Sequence, residues 1–158
     1  MRSRILAAVA VLFTIIINAS CSKGNFKTTP TLKVNKLNAT EILAPALAGS
    51  GARDLRITLE VTDKEGDGGG GVITYVRIRT NIRPIPNPGA NDKADTVRYT
   101  VPAFPKTPKS ELEITVPYSF MDEDPGRNDT MFFKISLKDA GGHLSDTVST
   151  VSVVARQI

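Results

Sequence analysis

Asp63, Glu65 and Asp67 alternate through the stretch TDKEGDGGGG, so three carboxylates fall within five residues and four glycines follow them. Hard cations such as Ca²⁺ take several carboxylate and carbonyl oxygens, and residues at i, i+2 and i+4 of a tight loop can converge on one ion. Read as an EF-hand loop, the stretch has Gly68 at the sixth position but Thr74 where the bidentate Glu belongs, and no helical pattern flanks it. That motif is excluded. A phosphate cradle fails as well, because no Gly-Lys-Ser/Thr follows the glycines and no helix begins there. Two readings remain: a structural Ca²⁺ site, or a solvated acidic turn whose glycines permit positive φ.

A second cluster joins His143, Ser145 and Asp146, which are base, nucleophile and acid types. A working triad orients its base between two partners that usually come from distant parts of a chain. Three neighbours in one hairpin read instead as a polar turn entering a strand. The other acids sit on loops or on outward strand positions, and there is no Trp to line a sugar cleft. No catalytic residue is assigned and no cofactor is required; the chain reads as a non-enzyme.

The single cysteine, Cys21, stands where an aliphatic run ends. Arg2 and Arg4 form a charged start, and Ile5 to Ile17 is apolar except for Thr14. As a helix this run would reach only about 20 Å at roughly 1.5 Å per residue, short of the ~30 Å hydrocarbon core of a membrane. A cleaved export signal over residues 1–20 fits better than a permanent span. Ala19-Ser20-Cys21 resembles the lipobox of bacterial lipoproteins, which implies that Cys21 becomes the lipidated N-terminus. A thioether is neither nucleophile, metal ligand nor half of a disulfide. Two or three acyl chains, at ~0.8 kcal/mol per buried methylene, hold a protein at a membrane in effect permanently. Removing residues 1–20 takes away Arg2 and Arg4, so the formal net charge of +4 falls to +2. With no basic run interleaved with aromatics, a nucleic-acid partner is not expected.

Residues 21–30 have little apolar content and read as a tether, and residues 31–158 are long enough for one domain with a real core. The period there is two. DLRITLEVT sets Leu55, Ile57, Leu59 and Val61 on one side; ELEITVPYSF does the same with Leu112, Ile114, Val116, Tyr118 and Phe120, and TMFFKISLKD with Met131, Phe133, Ile135 and Leu137. Weaker strands are read at TLKVNKL, VITYVRIRT, TVRYTV and SDTVSTVSVV, about seven in all. In the last, Val148 and Val154 fall on one parity and Val151 and Val153 on the other, which predicts a bulge or burial on both faces. Pro117 must sit at a strand end, a bulge or an edge. TEILAPALA is the nearest approach to an amphipathic helix, and Pro45 interrupts it. The Pro-rich IRPIPNPGANDKAD is expected to carry the chain from one sheet to the other. About seven short antiparallel strands predict an all-β, immunoglobulin-like antiparallel β-sandwich. In such a sandwich the acidic loop and the turn after Asp139 share a pole, which makes Asp139 a fourth candidate ligand for Ca²⁺. Tyr99 and Tyr118 are expected to point inward.

The lipobox, VTDKEGDGGG, the Pro-rich middle, ITVPYSF and ISLKDAGGHLSDTV together resemble the small immunoglobulin-like lipoproteins abundant in the Bacteroidota. LKDAGGHLSDTV is similar to the Asp-x-x-Gly-Asn-x-Ser hairpin of many bacterial immunoglobulin-like repeats, with His143 where Asn is usual. The resemblance implies a non-catalytic cell-envelope lipoprotein, an outer-membrane module that binds or scaffolds an envelope protein or glycan. A carbohydrate-binding accessory of a glycan-uptake system is the alternative. In that group acidic residues after the lipidated cysteine accompany surface export, and Ser22-Lys23-Gly24-Asn25 here implies a periplasm-facing domain. Asp95-Thr96-Val97, Asp129-Thr130-Met131 and Asp146-Thr147-Val148 resemble the Asp-Ser/Thr-apolar acceptor for O-glycosylation, which makes Thr96, Thr130 and Thr147 candidate sites; Asp closing a turn before a β-branched residue is also ordinary strand grammar.

Overall fold

Alternation of period two puts every second side chain on a shared core, and this is what the chain does in a computed structural model describing residues 27–157 apart from 48, 50, 82, 86, 88–93 and 125. Cys21 and the export signal lie outside the described residues. The protein is all-β. Its strands are β1 Thr31–Leu37, β2 Glu41–Leu43, β3 Asp54–Thr62, β4 Val72–Arg79, β5 Ala94–Thr100, β6 Lys109–Pro117, β7 Asp129–Lys138, β8 Val148–Ser149 and β9 Val153–Arg156, with one helical turn, α1 Tyr118–Met121, between β6 and β7. One sheet runs β1-β3-β6 and the other β2-β9-β7-β4-β5, with β8 also paired to β7. All pairings are antiparallel except β2 on β9.

The core fills the space between the sheets. From the first, Leu55, Ile57, Leu59 and Val61 of β3 and Ile114 and Val116 of β6 are buried; from the second, Ile73 and Tyr75 of β4, Phe133, Ile135 and Leu137 of β7, and Val153 and Ala155 of β9. Burying each of the larger aliphatic or aromatic side chains contributes roughly 1.5–3 kcal/mol. Tyr75 meets Phe120 and Phe133 edge-on, with ring centroids 5.8 and 6.1 Å apart, an arrangement the aromatic quadrupole favours.

Pro117 ends β6, an edge strand, where its missing N–H breaks no ladder. The last predicted strand is split. Thr150 breaks it: its hydroxyl accepts the Phe133 N–H at 3.0 Å, Val151 turns out to solvent, and the parity resets so that Val153 and Ala155 face the core. The Pro-rich connection does not change sheets. It joins β4 to β5, which pair from Val72 with Thr100 to Ile78 with Ala94 within one sheet. Crossing falls instead to Val101–Pro108, between β5 and β6. The stretch nearest to a helix supplies strand β2, with Ile42 fully buried, and turns away at Pro45.

Tyr118 donates its hydroxyl to the Arg156 carbonyl at 3.0 Å. Burial, with the charges of Asp122 and Asp129, pushes its phenol up to about 12, and Tyr75 is raised further by burial. Each raised phenol favours the folded state only while protonated. Stability should therefore be intact below pH 10 and fall as pH rises through 12, by ~1.4 kcal/mol per pH unit for each buried tyrosine. Urea denaturation from pH 9 to 12 should show this slope, and Tyr118→Phe should reduce it to the share of Tyr75; an unchanged slope in the variant would refute the assignment.

Candidate functional site

The acidic pole is built by the loop after β3. Asp63 is 2% exposed and the chain wraps round it, its carboxylate accepting the Glu65 N–H at 3.2 Å and the Asp67 N–H at 3.1 Å. Gly66 takes φ +66, and a Cβ there would lie 2.5 Å from the Thr107 backbone, so the turn closes only with glycine. The Asp67 carbonyl then accepts the Ala140 N–H at 3.1 Å, which ties the loop to the turn after β7. In that turn Asp139, its side chain fully buried, accepts the His143 N–H at 2.7 Å and lies 3.1 Å from His143 Nδ1.

Asp63, Asp67 and Asp139 each bring an oxygen within 4.8 Å of the others. The shared pole expected from the fold class is therefore real for these three. Glu65 is not part of the set. Its amide faces the Asp63 carboxylate, and its own side chain is turned to solvent. Asp67 Oδ1 is buried and has no hydrogen-bond partner among the described residues. The Asp67 carboxyl is held above its ordinary range by its hydrogen bond with Asp63, by burial and by the negative charges of Asp139 and Asp63, with Lys106 opposing. Three converging carboxylates and an orphaned oxygen fit a hard cation, whose remaining ligands would be second carboxylate oxygens, carbonyls or water.

Ser145 accepts the Leu137 N–H at 2.9 Å and donates to the Asp146 carbonyl at 2.8 Å, while His143 is bonded to Asp139. The hairpin's polar groups thus hold its own turn, as its reading as a polar turn requires. Of the threonines, Thr96 on edge strand β5 and Thr147 before β8 are exposed, whereas Thr130 is half-buried at the start of β7. Its neighbour Asp129 is fully buried.

The opposite pole holds a polar network that the sequence reading missed. β4 turns Ile73, Tyr75, Arg77 and Arg79 inward together, and both arginines are buried. Arg77 donates to the Phe120 carbonyl and to Glu123, and its guanidinium lies 4.9 Å from the Phe120 ring centre. Arg79 pairs with Asp129 and, at 3.3 Å, with Glu123. Asp129 also accepts Asn81 Nδ2 at 2.6 Å and the N–H groups of Glu123 and Asp124 at 2.7 and 3.1 Å. The signal was available in the parity of VITYVRIR, where the face carrying Ile73 and Tyr75 also carries Arg77 and Arg79. Val72, Val76 and Ile78 on the other face masked it.

Along one flank, between edge strands β5 and β6, lies an apolar groove of about 310 Å³, lined by Ile73, Tyr99, Val101, Pro102, Leu112 and Ile114 among others. Tyr99 was expected to point inward, and the residue is 49% exposed. Its parity is the inward one, but β5 ends the sheet, and the neighbouring edge of the other sheet leaves that position open. Tyr118 does point inward.

No family model matches the chain, and no curated protein matches it. Among solved structures it is similar to the PmoD soluble domain from Methylocystis sp. ATCC 49242 (Rockwell), at 11% identity over 80% of this chain and 88% of that one, with a TM-score of 0.31. It is also similar to a beta-glucosidase from Kluyveromyces marxianus, at 13% identity over 81% of this chain and 15% of that one, with a TM-score of 0.33. Scores this low leave fold and function to be argued from the chain itself.

Proposed function

We propose that the chain is a non-catalytic lipoprotein of the cell envelope, an immunoglobulin-like β-sandwich tethered through lipidated Cys21 to the periplasmic leaflet of the outer membrane and acting as a binding or scaffolding module. The observation that carries it is the position of Cys21 directly after Ala19-Ser20, at the end of an apolar run too short to span a membrane. Two sheets closing on one core support the sandwich. The hairpin whose residue types suggested catalysis holds its own backbone, which supports a module that binds rather than reacts. The acidic pole is a structural Ca²⁺ site of that module, with Asp63, Asp67 and Asp139 as its carboxylate ligands.

The test is Cys21→Ser in the native cell. It should abolish incorporation of labelled palmitate and move the protein from the membrane to the soluble fraction, or leave an unprocessed precursor. Labelling at wild-type levels would overturn the proposal. Protease added to intact cells should spare the domain; its rapid loss would place it on the outer face.

A further inference from the structure

A cavity of about 300 Å³, at the lower end of small-ligand pockets, opens at the Arg79 pole between the end of β4 and the connection from α1 to β7. Part of its wall is fully committed. Asn81 donates to Asp129 and accepts the Thr130 N–H at 2.6 Å, and Thr80 donates to the Thr130 carbonyl at 3.2 Å. The rest has hydrogen-bonding capacity to spare. Arg83 and Arg127 are exposed, and neither guanidinium has an ion pair or hydrogen bond among the described residues. Asn128 spends its oxygen on the Gln157 N–H at 2.9 Å, which leaves its amide donors over. Asp124 is 5% exposed, and among the described residues its carboxylate accepts only the Gly126 N–H, at 3.3 Å. The Thr130 hydroxyl completes the set.

These groups sort by chemistry. Two guanidiniums call for an oxyanion, a carboxylate or a phosphate, which they bind by charge-assisted, bidentate hydrogen bonds. The Asp124 carboxylate calls for donors and repels a second negative charge brought close to it. Inorganic phosphate offers Arg83 and Arg127 what they need but sets a multiply charged acceptor beside Asp124. A neutral sugar offers Asp124 its hydroxyls and leaves both arginines unmatched. A small molecule with one carboxylate and several hydroxyls satisfies both sets, and the Asn128 amide and Thr130 hydroxyl match further hydroxyls. We propose that this cavity binds a polyhydroxy carboxylate of the hexuronic acid class. The Asn81 side of the cavity is rigid because Asn81 is bonded to Asp129 of the buried arginine network, so ordering on binding falls to the two exposed arginines. The site goes beyond the tethered-module reading by naming a ligand, and it does not depend on the anchor.

Glucuronate and galacturonate, with glucose and inorganic phosphate as competitors, should be titrated into the full-length protein in a sugar-free detergent and followed by ligand-observed NMR. One or both uronates should bind saturably in the millimolar range, at least about tenfold tighter than glucose or phosphate. The Arg83→Gln/Arg127→Gln double variant should lose about tenfold or more in uronate affinity with its melting temperature unchanged, because both side chains are exposed. Cys21→Ser protein should bind like wild type, so loss of the anchor and loss of the site are separate results. Failure of both uronates to saturate, phosphate binding as tightly as they do, or wild-type affinity in the double variant would each overturn the proposal.

Discussion

Asp129→Ala should destabilise the domain by about 3–5 kcal/mol, the cost of removing one partner from a buried ion pair. Arg79 would keep a buried charge with only Glu123 left, at 3.3 Å and 29% exposed in its side chain. Three further donors lose their acceptor at once: the Asn81 amide and the N–H groups of Glu123 and Asp124. The last two fix the connection from α1 to β7, so this carboxylate also decides how the chain returns from one sheet to the other. Glu123→Ala should cost less, since water reaches that side chain and can replace it. An apolar double substitution, Arg79→Met with Asp129→Leu, removes both charges and is often neutral at a simple buried pair. Here it should recover only part of the loss, because two backbone donors still lack an acceptor. Urea denaturation of the three variants gives the order. Full recovery in the double variant would show that Asp129 serves the pair alone and not the connection.

This network also marks where the sequence stopped being legible. Leu55, Ile57, Leu59 and Val61 share a face with nothing polar among them, so the side β3 turns to the core follows from the residues alone. β4 carries apolar residues on both parities, and the inward one ends in Arg77 and Arg79, whose hydrogen-bond partners Phe120, Glu123 and Asp129 lie more than forty positions away. No local pattern encodes such a pairing. β2 was missed because three residues are too few to show a period, and because its partner β9 is parallel and distant in sequence. Asp139 could be placed beside Asp63 and Asp67 because two loops at one end of paired sheets must be neighbours. Glu65 could not be sorted from them, since which carboxylates of an acidic turn face inward depends on which backbone N–H groups the first one captures. Tyr99 shows the limit of parity itself: on an edge strand the inward side can be open.

Asp67→Asn reports on the acidic pole with opposite signs. If Asp63, Asp67 and Asp139 hold Ca²⁺, the ion binds the folded state preferentially and adds RT ln(1 + [L]/Kd), roughly 2.7 kcal/mol when calcium is a hundredfold above Kd. For a domain of this size that raises Tm by several degrees. Replacing the Asp67 carboxylate by an amide removes one negative charge and one of its two oxygens from the site and leaves a neutral carbonyl oxygen, a weaker ligand for the ion. The variant should therefore melt below wild type in millimolar calcium. In chelator the order should reverse or vanish. There the Asp67 charge faces Asp63 and Asp139 with no cation between them, and the neutral amide removes that repulsion. Glu65→Gln supplies the control: its side chain lies outside the convergent set, so calcium should stabilise that variant as much as wild type. Melting curves of the three proteins with calcium and with chelator decide between a cation site and a solvated turn. Superimposable wild-type curves in the two conditions would leave the turn, held by its own hydrogen bonds, as the whole purpose of these carboxylates.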